Sequence, residues 1–360
     1  MVVLQYIASP FWGGGEQYIY DLCATMKEHG KAQFVFVCQP GSDDDLRARF
    51  GSLGSVFTLS PRTKNGKFSY IEALRLASII RREKVDVLHI HDRKEFFLCA
   101  YAKRLCMRPV QLVTTVHLIV EKVKSKPSWL WVYKQIDAFI FVSQKAFDAF
   151  LVNPSVRQSC RSVCVVRNSV RLHGLNGEAK REELPIVLYH GRICPEKGIV
   201  QLLQAIEPCF KGNYTIILAG EVAEESRSAL EELLHQSRLK GYLRHIGFRS
   251  DCEALIAQCR IGILPSIVPE AASLAILEHM AMGSAVIASD NGSQPEFVTN
   301  GKEAVLLPPG KWSEWEKAIE RFIGDESEAR RMGIEARKQF EKEFDYMKFV
   351  DKIYAVYTGK

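Results

Sequence analysis

Two glutamates, Glu270 and Glu278, lie eight residues apart in the stretch PEAASLAILEHMAMG. An apolar strand pattern precedes Glu270, and Ser273 stands where it can cap a helix that ends at Gly283. Free N–H groups at the start of such a helix favour an anion such as phosphate. Carboxylates on either side can accept hydrogen bonds from sugar hydroxyls. The alternative is a loop glutamate and a surface glutamate that share no ligand.

Two cations lie in the segment HGRICPEKG, which follows another apolar strand pattern. Arg192 is expected in the loop after the strand, and Lys197 is expected to open the next helix. A guanidinium fork and an ammonium point charge together suit a diphosphate. The spacing differs from that of a P-loop, so this turn is not predicted to be one.

A glycine run and three histidines follow strand patterns in the first half of the chain. Gly14 and Gly15 belong to the run GGGEQ, where the backbone can approach a ligand closely. The run lacks the G-x-G-x-x-G spacing of dinucleotide-binding proteins, which disfavours NAD. His117 ends a strand pattern and can be functional or structural. His89 and His91 alternate on one strand and should face one way, but a third ligand for a metal site is lacking.

Apolar strand patterns alternate with helical patterns along the chain, which is typical of parallel sheets covered by helices on both faces. The alternation runs over 1–168, stops in a polar stretch at 169–185 and restarts over 186–344. We therefore expect two doubly wound α/β domains joined by a linker. Such sheets bind ligands outside the carboxyl ends of their strands, so the candidate residues are expected at a cleft between the domains.

The composition is that of a globular protein, because 47% of the residues are hydrophobic and only 25% are charged. Ten cysteines without a CxxC pair indicate reduced thiols, and not a disulfide framework. No apolar run in the sequence reaches a membrane-spanning length, and the first residues lack the pattern of a signal peptide. A cytoplasmic location is expected.

The charge is unevenly distributed between the two halves. Residues 1–167 contain 24 Lys and Arg against 14 Asp and Glu, whereas the remainder contains 24 against 28. A basic first half suits an anionic membrane surface, an anionic acceptor or nucleic acid. Its segment 120–135 combines four lysines with Trp129, Trp131 and Tyr133. This composition is either a membrane-surface contact or a solvated loop followed by an ordinary helix. We expect peripheral contact with the inner membrane face, and no nucleic acid partner.

Taken together, these stretches resemble the glycosyltransferases of family 4. The motifs that carry the resemblance follow the family order over nearly the whole chain: GGGEQ, HIHD, TTVH, FVSQKA, VVRNSV, GRICPEKG, LAGE, HIGF, PEAASLAILEHMAMGSAVIAS and GSQPEFV. The second half is the more specific match.

The resemblance implies a GT-B fold and retaining transfer from a nucleotide sugar, most simply a UDP-sugar, without a metal or another cofactor. It also implies that the last helix, within 345–360, crosses back onto the first domain. The acceptor would be a glycan or a lipid-linked saccharide in the synthesis of lipopolysaccharide, capsule or exopolysaccharide. Two alternatives stay open: another GT-B enzyme, such as a UDP-sugar epimerase, and a catalytically idle binding subunit.

The same resemblance assigns the catalytic residues Glu270, His117, Arg192 and Lys197, and it assigns Glu278 to donor binding. Glu270 matches the glutamate that contacts hydroxyls of the donor sugar, and Glu278 matches the one that holds the ribose. Arg192 and Lys197 match a diphosphate clamp, which would stabilise charge on the leaving nucleotide. His117 matches the histidine that touches the donor sugar and supports the reacting centre.

The other residues assigned to donor binding lie in loops and at a helix start: Gly14, Gly15, Gly247, Phe248, Ser273 and Leu274. The two glycines match a loop that faces the phosphates and the acceptor, and Gly247 and Phe248 should lie near the base. The sequence departs from the family pattern around the sugar pocket, where the departing residues are Ala271, Ala272, Ser273, Ser293 and Ala304. These departures leave the donor sugar open.

Overall fold

The computed structural model describes residues 1–7, 9–60, 69–120, 122–174, 183–249 and 251–360. These residues divide into two compact units. One unit contains Met1–Arg167 together with Met347–Lys360, and the other contains Asn168–Tyr346. Each unit is built on its own sheet. The prediction of two doubly wound α/β domains is confirmed.

The strands of the first unit form a parallel sheet. Its described strands are β1 (Val2–Ile7), β2 (Gln33–Cys38), β3 (Gly54–Thr58), β4 (Val87–Ile90), β5 (Gln111–Val116), β6 (Ala138–Phe141) and β7 (Ser162–Val165). They pair in the order β3-β2-β1-β4-β5-β6-β7, and all these pairings are parallel. β4 and β6 are buried along their whole length, as expected for strands covered on both faces. The order reverses between β1 and β4, which is where such sheets bind ligands.

Helices cover this sheet: α1 (Gly14–Glu28), α2 (Asp44–Gly51), α3 (Tyr70–Arg82), α4 (Phe96–Leu105), α5 (Pro127–Gln135), α6 (Gln144–Leu151) and α7 (Pro154–Ser159). α3 illustrates why they form. Ala73, Leu76, Ala77 and Ile80 recur at helical spacing on its buried face. The Ser69 hydroxyl accepts a hydrogen bond from the Glu72 N–H and so caps its first turn.

The second unit repeats the arrangement with β8 (Ile186–His190), β9 (Thr215–Ala219), β10 (Leu243–His245), β11 (Ile261–Leu264), β12 (Ala285–Ser289) and β13 (Val305–Leu307). These described strands pair in the order β10-β9-β8-β11-β12-β13, again in parallel. The order reverses between β8 and β11. The loops that leave these two strands carry Arg192, Lys197 and Glu270.

The helices of the second unit are α8 (Ile199–Ile206), α9 (Glu224–Gln236), α10 (Cys252–Ile256), α11 (Leu274–Met282), α12 (Trp312–Gly324) and α13 (Glu326–Glu343). Trp315 of α12 is fully buried and belongs to a core cluster with Val187 of β8 and Ile216 of β9. Burial of a large ring against two neighbouring strands contributes strongly to the stability of this unit.

The C-terminal helix α14 (Tyr346–Thr358) packs on the first unit. Its buried residues Phe349, Val350, Ile353 and Tyr357 form one face. The Gln111 amide donates a hydrogen bond of 2.9 Å to the carbonyl of Val356. The last residues of the chain therefore contribute to the core of the unit that its first residues build.

The start of the predicted linker, 169–185, differs from an independent connector. Val170 belongs to a core cluster of the second unit, and the Ser169 hydroxyl donates to the carbonyl of Phe344. The N–H groups of His173 and Gly174 donate to the Glu253 carboxylate. Residues 175–182 lie outside the described part of the chain.

The aromatic residues of the segment 120–135 have structural partners. The ring of Trp129 lies edge-on to Phe97 with centroids 4.9 Å apart, and Trp131 lies 4.8 Å from Tyr101. Both partners belong to α4, and both tryptophans are half-buried. The described part of this segment leaves Lys122, Lys124 and Lys126 exposed; Glu121 is not described. Among the described helices, none is long and apolar enough to cross a membrane.

Candidate functional site

A tyrosine side chain and a glycine fix the conformation of the loop after β8. The Tyr189 hydroxyl donates a hydrogen bond of 2.6 Å to the carbonyl of Arg192. Gly191 has a φ of 137°, which residues with a side chain rarely adopt. Within the described residues, the exposed Arg192 guanidinium has no ion-pair partner. A cation is therefore presented to solvent directly after the strand.

Lys197 and Glu270 form an ion pair at the ends of β8 and β11. Lys197 Nζ lies 2.7 Å from Glu270 Oε1, and the Ser266 hydroxyl donates to the same carboxylate. The Glu270 side chain is 13% exposed and the Lys197 side chain 35%. The structure thus brings two of the predicted residues into direct contact. Ser266 was not predicted, because a serine after a strand has no signal of its own.

Lys197 was predicted to open the next helix, and this prediction is wrong. It ends a 3-10 turn, Pro195–Lys197, and α8 starts at Ile199. Gly198 separates the two with a φ of 69°. A Cβ atom there would lie 2.2 Å from the carbonyl oxygen of Pro265, so the Lys197 turn packs directly on the loop that leads to Glu270. The left-handed glycine redirects the chain and prevents a continuous helix.

Glu278 has a histidine partner that the sequence analysis missed. His190 Nδ1, at the end of β8, lies 3.3 Å from Glu278 Oε2. Burial lowers the pKa of His190 to about 4, so its ring is neutral at pH 7 and the contact is not an ion pair of two charges. The contact positions the Glu278 carboxylate beside the end of β8. The contact joins β8 to α11, and nothing in the spacing of the two residues announces it.

Ser273 and Leu274 stand at the start of α11, which spans Leu274–Met282 as expected. Gly283 ends the helix in the left-handed conformation. The Ser273 hydroxyl, however, makes no capping hydrogen bond, which corrects the expectation from its position. The side chain is buried, with 8% exposed. The N–H groups of the first turn are therefore not covered by this hydroxyl.

A loop after β12 supports Glu270 from its backbone. The Ser293 N–H donates 2.8 Å to the carbonyl of Glu270. Gly292 has a φ of 59°, and a Cβ atom there would lie 2.3 Å from the same carbonyl oxygen. Asn291 donates to the carbonyls of Ser266 and Ile267. Gly292 is required for its left-handed conformation and because its backbone packs against the backbone of Glu270.

Gly247 and Phe248 follow β10, at the same edge of the sheet. The Gly247 carbonyl accepts a hydrogen bond of 2.8 Å from the Gly220 N–H, and Gly247 has a φ of 71°. His245 Nε2 lies 2.8 Å from the Gly220 carbonyl. The Phe248 ring is 38% exposed, so it is available for stacking on a planar group.

Gly14 and Gly15 lie in the first turn of α1, and not in a loop before it. Both are exposed, and a Cβ atom at Gly15 would meet nothing within 4 Å. The first N–H groups of a helix have no intrahelical partner, so this turn offers donors to an anion. Whether it binds one stays a prediction.

His117 belongs to a cluster of three histidines at the ends of β4 and β5. His117 Nε2 lies 3.1 Å from His91 Nδ1, and the rings of His89 and His91 are 4.3 Å apart, on one side of β4 as predicted. Burial lowers the pKa of His117 to about 4 and that of His89 to about 3. Burial also holds the pKa of His91 well below its ordinary value, so all three rings are neutral at pH 7. Within the described residues, no group of three or more His, Cys, Asp or Glu could hold a metal ion.

Two family models match the chain. The model described as Glycosyltransferase Family 4 matches residues 12–168, and the one described as Glycosyl transferases group 1 matches residues 175–339. Together they cover all of the chain except its two ends and a short stretch between them. The match thus extends over both units.

Individual proteins of known sequence or structure are also similar to this chain. The alpha-maltose-1-phosphate synthase of Mycolicibacterium smegmatis is 25% identical over 48% of this chain and 47% of its own length, so the chain matches about half of that relative. The UDP-Gal:alpha-D-GlcNAc-diphosphoundecaprenol alpha-1,3-galactosyltransferase of Escherichia coli is 23% identical over 79% of this chain and 78% of its own. The structure of Anabaena HepE in complex with UDP and glucose has a TM-score of 0.79 at 20% identity, over 100% of both chains. The chain therefore belongs to glycosyltransferase family 4 and has the GT-B fold.

Proposed function

We propose that this protein is a retaining glycosyltransferase that moves a sugar from a UDP-sugar to a glycan or lipid-linked acceptor. Lipopolysaccharide, capsule or exopolysaccharide synthesis is the setting that suits this reaction. The observation that carries the proposal is the ion pair of Lys197 and Glu270, whose atoms lie 2.7 Å apart. The chain segment after β8 that carries Lys197 also carries the exposed Arg192. The E. coli relative supports the donor and acceptor classes, since its name includes UDP-Gal and a diphosphoundecaprenol-linked sugar.

Arg192 and Lys197 are proposed to bind the diphosphate. An ammonium group has three donors, so Lys197 can keep Glu270 and still donate to a phosphate oxygen. Two fixed cations stabilise the negative charge that develops on the leaving nucleotide. In this proposal they do what a divalent metal does in other enzymes that cleave diphosphates, so no metal or other cofactor is needed.

The remaining roles are part of the same proposal, and contacts within each unit support some of them. Glu270 has free lone pairs beyond those used by Lys197 and Ser266, and we assign them to hydroxyls of the donor sugar. Glu278, oriented by His190, is assigned to the ribose. The other proposed donor contacts are Gly14, Gly15, Gly247, Phe248, Ser273 and Leu274. His117 is assigned to a sugar hydroxyl, because its ring is half-buried with one nitrogen already engaged.

The test is thermal unfolding with UDP, GDP, ADP and CMP in turn. We expect UDP to stabilise the protein, since a ligand at a hundredfold excess over its Kd adds about 2.7 kcal/mol to the free energy of unfolding. The double variant Arg192→Ala/Lys197→Ala should lose this response. Stabilisation by GDP instead would change the proposed donor class.

Two outcomes would contradict the proposal as a whole. Failure of every nucleotide to bind would favour an idle binding subunit. Interconversion of a free UDP-sugar without any acceptor would favour an epimerase.

The retaining course of the reaction has its own test. With the true substrates, NMR of the anomeric proton of the product shows directly whether the configuration is retained.

Peripheral membrane contact through 120–135 is a further part of the proposal. Lys122, Lys124 and Lys126 are exposed, and each lysine near an anionic bilayer contributes about 1 kcal/mol. The double variant Lys122→Glu/Lys126→Glu should therefore lose co-sedimentation with vesicles that contain anionic lipid. Neutral vesicles and the variant Lys240→Glu, an exposed lysine of the second unit, are the controls. Equal binding of the wild type to neutral and anionic vesicles would exclude this electrostatic contact.

A further inference from the structure

His117 is connected through two hydrogen bonds to a buried amide. His91 Nδ1 lies 3.1 Å from His117 Nε2, and His91 Nε2 lies 2.8 Å from Gln5 Oε1. Gln5 lies on β1 and His91 directly follows β4, the two strands between which the strand order of the first sheet reverses. The Gln5 side chain is 0% exposed, so water does not compete for its amide.

The connection continues to the end of the chain. The Gln5 amide nitrogen donates 3.3 Å to the Tyr357 hydroxyl, which lies 2.6 Å from His89 Nδ1. His89 Nε2 lies 2.8 Å from the Thr115 hydroxyl. Tyr357 belongs to α14, and its side chain is buried like those of Gln5, His89 and Thr115. A continuous row of side-chain hydrogen bonds thus joins the C-terminal helix to His117.

This row determines which nitrogen of His117 carries the proton. Gln5 Oε1 only accepts, so His91 Nε2 must donate to it. Burial holds the pKa of His91 well below its ordinary value, so its ring is neutral and Nδ1 accepts. His117 Nε2 therefore donates to His91, and the neutral His117 ring keeps a lone pair on Nδ1. No described residue hydrogen-bonds to that nitrogen.

The outcome depends on the orientation of one amide group. A half-turn of the Gln5 amide would direct its N–H groups at His91 Nε2, which would then have to accept. His91 Nδ1 would donate to His117 Nε2, and His117 Nδ1 would carry the proton. The structure places the Gln5 amide nitrogen at the Tyr357 hydroxyl and Oε1 at His91, and in this orientation the Tyr357 hydroxyl can give its own hydrogen to His89 Nδ1.

We propose that Gln5, His91 and Tyr357 are positioning residues that hold His117 in the tautomer whose Nδ1 accepts a hydrogen bond from a saccharide hydroxyl. The inference rests on the proposed function, in which His117 contacts a sugar. It adds the nature of that contact: the ring accepts from the hydroxyl and does not donate to it. A hydroxyl that gives its hydrogen to Nδ1 has a more electron-rich oxygen, and a fixed acceptor selects one hydroxyl orientation.

The first test reads the tautomer without any substrate. The full chain is labelled with ¹⁵N-histidine, and the signals of His117 are identified by their loss in His117→Gln. We expect protonated Nε2 and unprotonated Nδ1 in the wild type, and a mixture of both tautomers in Tyr357→Phe, which keeps the ring and removes the hydroxyl. Tyr354→Phe on the same helix is the matched control, since that ring contacts Lys31 and not the row of hydrogen bonds.

The second test measures transfer by the same variants. Loss of one net hydrogen bond in Tyr357→Phe should lower kcat roughly tenfold, with a much smaller change of the donor KM. Gln5→Met removes the amide without opening a large cavity. It should likewise give a mixture of both tautomers and lower kcat, and it replaces Tyr357→Phe if that variant fails to fold.

Each result decides between the alternatives. A wild-type His117 protonated on Nδ1, or a tautomer unaffected in both variants, overturns the inference. A mixed tautomer with an unchanged kcat also overturns it, because the lone pair is then not used, while the transferase function stands. If no donor supports transfer at all, the proposed function fails, and the tautomer spectra still decide whether the hydrogen-bond row controls His117.

Discussion

Replacing Lys197 with alanine should lower kcat/KM for sugar transfer by roughly a hundredfold to a thousandfold, the usual cost of removing one fixed group that stabilises charge in a transition state. Lys197 Nζ lies 2.7 Å from Glu270 Oε1, and its side chain remains 35% exposed. The ammonium group is therefore held in place and still open to a phosphate oxygen. We therefore expect the variant to bind the nucleotide more weakly and to stabilise the leaving group less.

Glu270→Gln should give a different pattern. The amide keeps the size of the side chain but loses the charge that holds Lys197 and the acceptor lone pairs that we assign to sugar hydroxyls. We expect kcat to fall at least as far as in Lys197→Ala, with nucleotide binding largely kept. Comparing UDP-induced stabilisation with the rate of transfer in both variants separates the two roles.

The matched control for Lys197 is Lys211. It lies in the same unit and also forms an ion pair, 3.0 Å from Glu320, but at the amino end of β9. Because β9 is parallel to β8, that end lies at the opposite edge of the sheet. Lys211→Ala should therefore leave transfer unchanged. Full activity of Lys197→Ala and Glu270→Ala with the true substrates would rule out the proposed site.

The sequence predicts the buried strands well because their signal is local. β6 is apolar along its whole length, and β8 is apolar up to Tyr189 and buried throughout, as expected for strands covered on both faces. The sequence of β3 lacks this signal, because its residues are half-buried or exposed and include a glycine. Ladder hydrogen bonds to β2 make this segment a strand, and these depend on tertiary structure.

The candidate site divides in the same way. Glu270, Lys197 and Glu278 are recognisable because their motifs have a fixed order in the sequence. His190 and Ser266 have no such signal, since each acts through a residue that is distant along the chain or across a loop. The same holds for Tyr357, which contacts Gln5 at a separation of 352 residues. Spacing can identify groups that bind a ligand, but it does not identify the groups that orient them.

Acid should destabilise this protein steeply, because several of its histidines are buried and neutral. His89 and His279 are 0% exposed and His190 is 6% exposed. Burial lowers the pKa of His89 to about 3 and that of His190 to about 4, and it holds the pKa of His279 well below its ordinary value. In the unfolded chain these rings take up protons below about pH 6.5, whereas the folded rings do not. Stability should therefore be full above pH 6.5 and fall as the pH decreases towards 4.

His279→Leu isolates one of these groups. His279 Nδ1 lies 3.0 Å from the Ser284 hydroxyl, its ring packs 5.2 Å from that of His190, and the neighbouring Glu278 is already engaged by His190. Each proton excluded from the folded state contributes about 1.4 kcal/mol per pH unit. In urea unfolding between pH 6 and pH 5, the slope of stability against pH should be smaller by about that amount in His279→Leu.

An exposed histidine of the same unit provides the control for His279→Leu. His235 lies on α9 of the same unit with its side chain exposed, so His235→Leu should leave the slope unchanged. If wild type and His279→Leu have equal slopes, His279 takes up its proton equally in the folded and unfolded states, and the ring is not held neutral by burial. A reduced slope would mean that the second unit keeps the buried His279 ring neutral at a pH where the unfolded chain has already taken up that proton.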